Sequence, residues 1–370
     1  MHSTDRFSEL NEVDGTVVDC DAHLLEEEED FVGYIDDPFA SMGIDADTIR
    51  KYSGHYPGPA FLNPAIESGR STTQLEFSNT VADIAAADEM LNRDRAILTP
   101  GGCNLKLGFV HHGELAAALA SAYNDWILDQ FLDELPTLHG AAVVAPQKPE
   151  LAAAEIRRRA SEPKIASVML PCAGVSPPLG MEKYDPIYEA AEDAGLPVMM
   201  HPGINGLIGS FPQHWRGTDR YLDAKVCCHP SEQMFHLSTM LTKGIPVKYP
   251  DLEFVIMEAG LGWIPFFIRR YEQHYLMLRE DAPMLEKSPQ EYIDDQFYFT
   301  SQPIEGAAEP EYIARVARLF NGSDNLLFAS DWPHMDFDTT KQLYQSLGTE
   351  FDDDEVAAIY GGTARSVFDL

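Results

Sequence analysis

Asp19, Asp21 and His23 alternate along a short stretch that begins apolar, Val17-Val18-Asp19-Cys20-Asp21-Ala22-His23. On a β-strand successive side chains point to opposite faces, so these three would share one face while Cys20 and Ala22 take the other. Carboxylate and imidazole groups set side by side are donors that a divalent cation takes. A strand end running into a polar turn has the same look, so further ligands must come from elsewhere in the chain.

Three other places offer them. His201-Pro202-Gly203, Glu258-Ala259-Gly260 and Asp331-Trp332-Pro333-His334 each follow an apolar run. The hydrophobic pattern predicts strands over 17–23, 95–99, 138–144, 165–170, 197–201, 252–257, 297–300 and 325–330. Helical spacing predicts helices over 73–92, 113–135, 149–160, 186–194, 230–243, 261–278 and 310–319. This alternation implies an α/β fold, a (β/α)8 TIM barrel forming one domain over 1–370, with excursions over 26–72 and 203–228 near its mouth. An open doubly wound sheet fits less well, because no glycine-rich fingerprint follows the first strand. In a barrel the C-terminal strand ends meet on one face, which would bring Asp21, His23, His201, Glu258 and Asp331 together.

Composition narrows the partners. The chain carries 60 acidic and 26 basic residues, a formal charge of -34, which opposes binding to nucleic acid or to an anionic membrane surface. The acids are spread along the chain, as suits a halophilic protein in a salt-rich cytoplasm where counterions screen them. The five cysteines show no paired spacing, in keeping with a reducing compartment. No stretch reads as a secretion leader or a membrane span, so a cytoplasmic location is expected.

Taken together, Asp19-Cys20-Asp21-Ala22-His23, Tyr184-Asp185-Pro186, Leu196-Pro197-Val198-Met199-Met200-His201-Pro202-Gly203, Tyr249-Pro250-Asp251-Leu252 with Glu258-Ala259-Gly260, and Leu327-Phe328-Ala329-Ser330-Asp331-Trp332-Pro333-His334 span nearly the whole chain. Their order and spacing resemble the amidohydrolase superfamily, in the branch typified by aminocarboxymuconate-semialdehyde decarboxylase. The resemblance implies a metal-dependent (β/α)8 barrel with Asp21, His23, His201 and Asp331 as ligands of one divalent ion, Zn2+ or Mn2+. It also implies a small-molecule carboxylic acid as substrate and a homodimer. Two positions depart from it. Asp21 stands where a longer Glu or a His is usual, and Glu258 stands where a catalytic His follows strand six.

Two reactions fit this constellation. The first is a carboxy-lyase reaction, non-oxidative decarboxylation of an unsaturated or aromatic acid, with proton transfer from Asp331 or a metal-bound water. The second is hydrolysis of an amide, lactone or ester by a metal-activated water, with Asp331 as general base. Glu258 is a further catalytic candidate in both, because a carboxylate buried in a barrel mouth can hold a water or move a proton. His229, His334, Trp215 and Arg269 are the candidate substrate contacts. A metal-free binding protein on the same barrel is a third reading, opposed by the cost of burying so many acids and imidazoles unpartnered.

Overall fold

The computed structural model describes residues 16–52, 79–203, 221–306, 309–334 and 336–370. Eight parallel strands follow one another in sequence order: β1 (Val18–Leu24), β2 (Arg95–Pro100), β3 (Leu138–Val143), β4 (Ile165–Pro171), β5 (Val198–His201), β6 (Phe254–Ile256), β7 (Phe297–Thr300) and β8 (Leu326–Leu327). Nearly every strand residue is buried, which is why the strands read as continuous apolar runs with no alternation. The barrel closes between its last and first strands: Cys20 N donates to Phe328 O at 3.0 Å, and Asp331 N to Asp21 O at 2.9 Å. His23 N to Trp332 O, at 2.8 Å, completes the seam. The (β/α)8 fold is therefore as the alternation implied.

The outer helices are α1 (Val81–Leu91), α2 (Gly113–Ile127), α3 (Pro149–Arg159), α4 (Asp185–Ala194), α5 (Tyr221–Thr242), α6 (Trp263–Tyr275), α7 (Glu311–Arg318) and α8 (Thr340–Leu347). Local chemistry sets their ends. Thr80 and Asp83 form a reciprocal capping box at α1, and Thr339 and Gln342 do the same at α8. Gly195, at φ +64°, ends α4 in the left-handed conformation that costs glycine nothing. One apolar cluster of buried residues runs from Val17 to Phe368 and joins strands to helices, with Phe254 stacked on Phe297 at 5.1 Å.

Three expectations change. The helix expected over 230–243 begins at Tyr221, so 221–228 is helical and not part of an excursion, and Pro230 lies inside α5. Proline favours the first helical position, which made it read as a start. The helix survives because its first turns are tied down by Lys225, Cys228 and His229, whose bonds reach Glu258 and Gly203. The strand expected over 325–330 keeps a ladder only at Leu326–Leu327. Beyond it Phe328 N donates to Ile359 O, and the chain turns. Of the excursion over 26–72, the described part contains short helices at Glu28–Phe31 and Ala46–Tyr52, while 53–72 lies outside the described residues.

Candidate metal centre

The centre begins on β1. Asp21 and His23 are buried, on the same face as expected. His23 Nδ1 lies 3.0 Å from Pro100 O, which uses that nitrogen as donor and turns Nε2 into the barrel mouth. His201, at the end of β5, is arranged the same way, with Nδ1 2.8 Å from Pro202 O. The two Nε2 atoms thus meet the carboxylates: His23 Nε2 is 3.2 Å from Asp21 Oδ1 and 3.0 Å from Asp331 Oδ1, and His201 Nε2 is 3.5 Å from Asp21 Oδ2.

Whether these residues fit a cation is answered by atoms left over. Asp21 Oδ2, His23 Nε2 and His201 Nε2 are buried without a hydrogen-bond partner among the described residues. Leaving one such group unpaired costs about 1–3 kcal/mol, so three aimed at one space call for a shared partner. The donor atoms of Asp21, His23 and His201 all lie within 4.8 Å of one another, as do those of His23, Asp331 and His334. A divalent ion fits this mixture of imidazole nitrogen and carboxylate oxygen. Asp21, despite its short side chain, reaches the cluster.

Asp331 sits at φ +60° just beyond β8, and each of its oxygens has a hydrogen-bond partner. Oδ1 accepts from His334 Nδ1 at 2.6 Å, and Oδ2 from Gln302 Nε2 at 2.9 Å. Burial would raise its pKa, but the His334 and His23 imidazoles overcome that and hold the carboxyl well below the ordinary range. In return, although burial disfavours charge on His334, Asp331 lifts it to about 10. His201 is raised to about 9, since Asp21 and Glu258 outweigh its desolvation.

Glu258 closes β6 at φ +43°, with its N–H donating to Thr300 Oγ1 at 3.0 Å. Its Oε2 lies 3.7 Å from His201 Nε2, at the edge of the cluster. His229 comes to the same place from α5: its Nδ1 is 2.9 Å from Glu258 O and 3.4 Å from Glu258 Oε1. An imidazole therefore stands beside the end of β6, supplied by the preceding helix α5, while Glu258 occupies the strand end. His229 repeats the pattern of the two other histidines, with Nδ1 on a carbonyl and Nε2 buried without a partner among the described residues. Burial pushes its pKa down, against the opposing pull of Glu258. Burial would raise Glu258, but His229, Lys225 and His201 together bring it below its ordinary value.

The remaining expectations divide. His334 joins the site, its ring 4.4 Å from that of His23 and its Nε2 3.2 Å from Gly101 O. Arg269 does not. It lies on α6 with Nη1 bonded to Gln290 Oε1 at 3.1 Å in an exposed pair, because the period of α6 turns it away from the barrel. Trp215 lies outside the described residues. Asp19 shares the face of Asp21 but is taken by Arg93, Nη1 to Oδ2 at 2.6 Å, and by the Ser330 backbone N–H at 2.9 Å. It braces the turn that carries Asp331. An apolar groove of about 450 Å3 between α5 and α6, lined by Phe235, Phe266 and Tyr271, contains none of these groups.

Sequence reasoning missed Lys225, Gln302, Thr99 and Glu232. Thr99 Oγ1 bonds Asp21 Oδ1 at 3.1 Å. Glu232, buried on α5 and pushed up to about 8 by desolvation, accepts weakly from Gly203 N at 3.4 Å beside the end of β5. Glu232 carried a signal in its spacing of one helical turn from His229, and Thr99 in its place near the end of β2.

The family model for amidohydrolases matches residues 18–370. The chain belongs to the amidohydrolase family. Among this amidohydrolase's curated relatives, gamma-resorcylate decarboxylase of Polaromonas sp. (strain JS666 / ATCC BAA-500) is 24% identical over 258 residues, 67% of this chain and 75% of that protein. The structure of 5-carboxyvanillate decarboxylase from Sphingomonas paucimobilis superposes on the amidohydrolase with a TM-score of 0.70 at 20% identity, covering 96% of this chain and 99% of that one. Dihydroxybenzoic acid decarboxylase from Polaromonas sp. JS666, with bound manganese and the inhibitor 2-nitroresorcinol, gives a TM-score of 0.69 at 18% identity over 96% of this chain and 97% of that one. At such identities the structural likeness establishes the amidohydrolase's fold. Among the described residues no helix is long and apolar enough to cross a membrane.

Proposed function

We propose that this amidohydrolase is a metal-dependent carboxy-lyase that removes CO2 non-oxidatively from a small aromatic carboxylic acid. The observation that carries the reading is the convergence of three orphaned donor atoms, Asp21 Oδ2, His23 Nε2 and His201 Nε2, beside Asp331 at the barrel mouth. The decarboxylases among its relatives favour this reaction, and the manganese of the dihydroxybenzoic acid enzyme favours Mn2+ over Zn2+. Held by Asp21, His23, His201 and Asp331, the ion would supply positive charge to bind and orient an acidic substrate.

The chain's own groups handle the proton. The ring carbon bearing the carboxylate takes a proton, the carbon–carbon bond to the carboxylate breaks, its electron pair restores the aromatic ring, and CO2 leaves. Against the effect of burial, His334 and His23 hold the Asp331 carboxyl below the ordinary range. A proton it passes is drawn from His334, 2.6 Å behind it. Glu258 and His229 stand on the His201 side of the cluster, where they would border the substrate. The acidity spread over the chain supports a salt-rich cytoplasm as the working environment.

Purified protein loaded with Mn2+ in high salt, given 2,6-dihydroxybenzoate, 5-carboxyvanillate and a panel of lactones and amides, is expected to release CO2 from an aromatic acid. Hydrolysis of a lactone or amide with no CO2 from any acid would replace this reading with the hydrolytic one.

A further inference from the structure

Lys225 is the cation that the structure sets against Glu258. It lies on α5 one turn before His229, its side chain 24% exposed, with Nζ 3.3 Å from Glu258 Oε1 and 2.8 Å from Asp336 Oδ2. An ammonium is a compact charge with three donors, so it can serve both carboxylates at once. Asp336 belongs to the segment after Asp331, and Lys225 therefore ties together α5, the end of β6 and the turn beyond β8.

The consequence concerns the other oxygen of Glu258. Oε2 lies 3.7 Å from His201 Nε2, close to the cluster, yet Glu258 belongs to neither group of mutually close donors. A flexible carboxylate this near a divalent ion competes for it, because unlike charges attract strongly where water is excluded. What opposes that collapse is the pull on Oε1 from Lys225, with His229 Nδ1 3.4 Å from the same oxygen. We propose that Lys225 is a positioning residue that holds the Glu258 carboxylate off the metal centre, keeping the side beside His201 free for substrate. The inference rests on the metal-dependent reading above.

The test uses only Mn2+ and water. In Lys225→Met, or Lys225→Gln if the first variant folds poorly, Glu258 is released and is expected to become a ligand. The Kd for Mn2+, titrated by electron paramagnetic resonance, should fall about tenfold. The water-proton relaxivity of the bound ion should drop as a carboxylate displaces water. Lys225→Arg should behave as wild type, and adding Glu258→Gln to Lys225→Met should reverse both effects. Unchanged or weaker Mn2+ binding in both released variants, or a tightening that survives Glu258→Gln, overturns the proposal. Wild-type protein that binds no Mn2+ overturns the metal reading itself, which is a different failure.

Discussion

Asp331→Asn is expected to lower turnover by about 10³-fold or more, the scale of losing a group that both moves a proton and holds the ion. The amide is nearly isosteric, but it has no charge with which to balance His23 Nε2 at 3.0 Å or His334 Nδ1 at 2.6 Å. Its NH2 would also face either His334 or the Gln302 amide, so a hydrogen bond now made by Oδ1 or Oδ2 becomes a clash of donors. The effect should fall on kcat with the helical circular dichroism unchanged. Turnover within about threefold of wild type would remove Asp331 from the chemistry.

The second large effect is on stability. Asp19→Ala takes away the carboxylate that Arg93, Ser330 and the Asp21 N–H all address. Arg93 would keep Asp88 Oδ1 at 2.6 Å but remain a buried cation with half its partners gone. Breaking a buried pair from one side costs about 3–5 kcal/mol, measurable as a shift in the urea midpoint. Because Asp19 Oδ1 also fixes the Ser330 N–H next to Asp331, activity should fall as well. A loss under about 1 kcal/mol would show that Arg93 finds enough solvent or other partners to do without Asp19.

These two aspartates, one in the site and one two residues before Asp21, illustrate what a sequence discloses. Asp21, His23, His201 and Asp331 were legible because each ends an apolar strand, and the barrel brings all such ends to one face. Asp19 was legible only as a third member of that row. Its true partner, Arg93, lies 74 residues away, and nothing local distinguishes a ligand from a brace. His229 was seen but placed at a helix start, since Pro230 in the interior of α5 ran against the usual preference. Lys225 gave no signal, because a lysine on a helix is ordinarily solvated and its two carboxylates come from β6 and from beyond β8. Arg269 attracted notice by its charge, and the turn of α6 sends it outward.

The most direct measurement is the metal content of purified protein, by mass spectrometry, for wild type beside the His23→Ala/His201→Ala double variant. Two buried imidazoles whose Nε2 atoms have no hydrogen-bond partner among the described residues predict about one divalent ion per wild-type chain and almost none in the variant. Equal metal content in the two proteins, or full activity in wild type stripped of metal, would contradict a centre built from β1, β5 and the turn beyond β8.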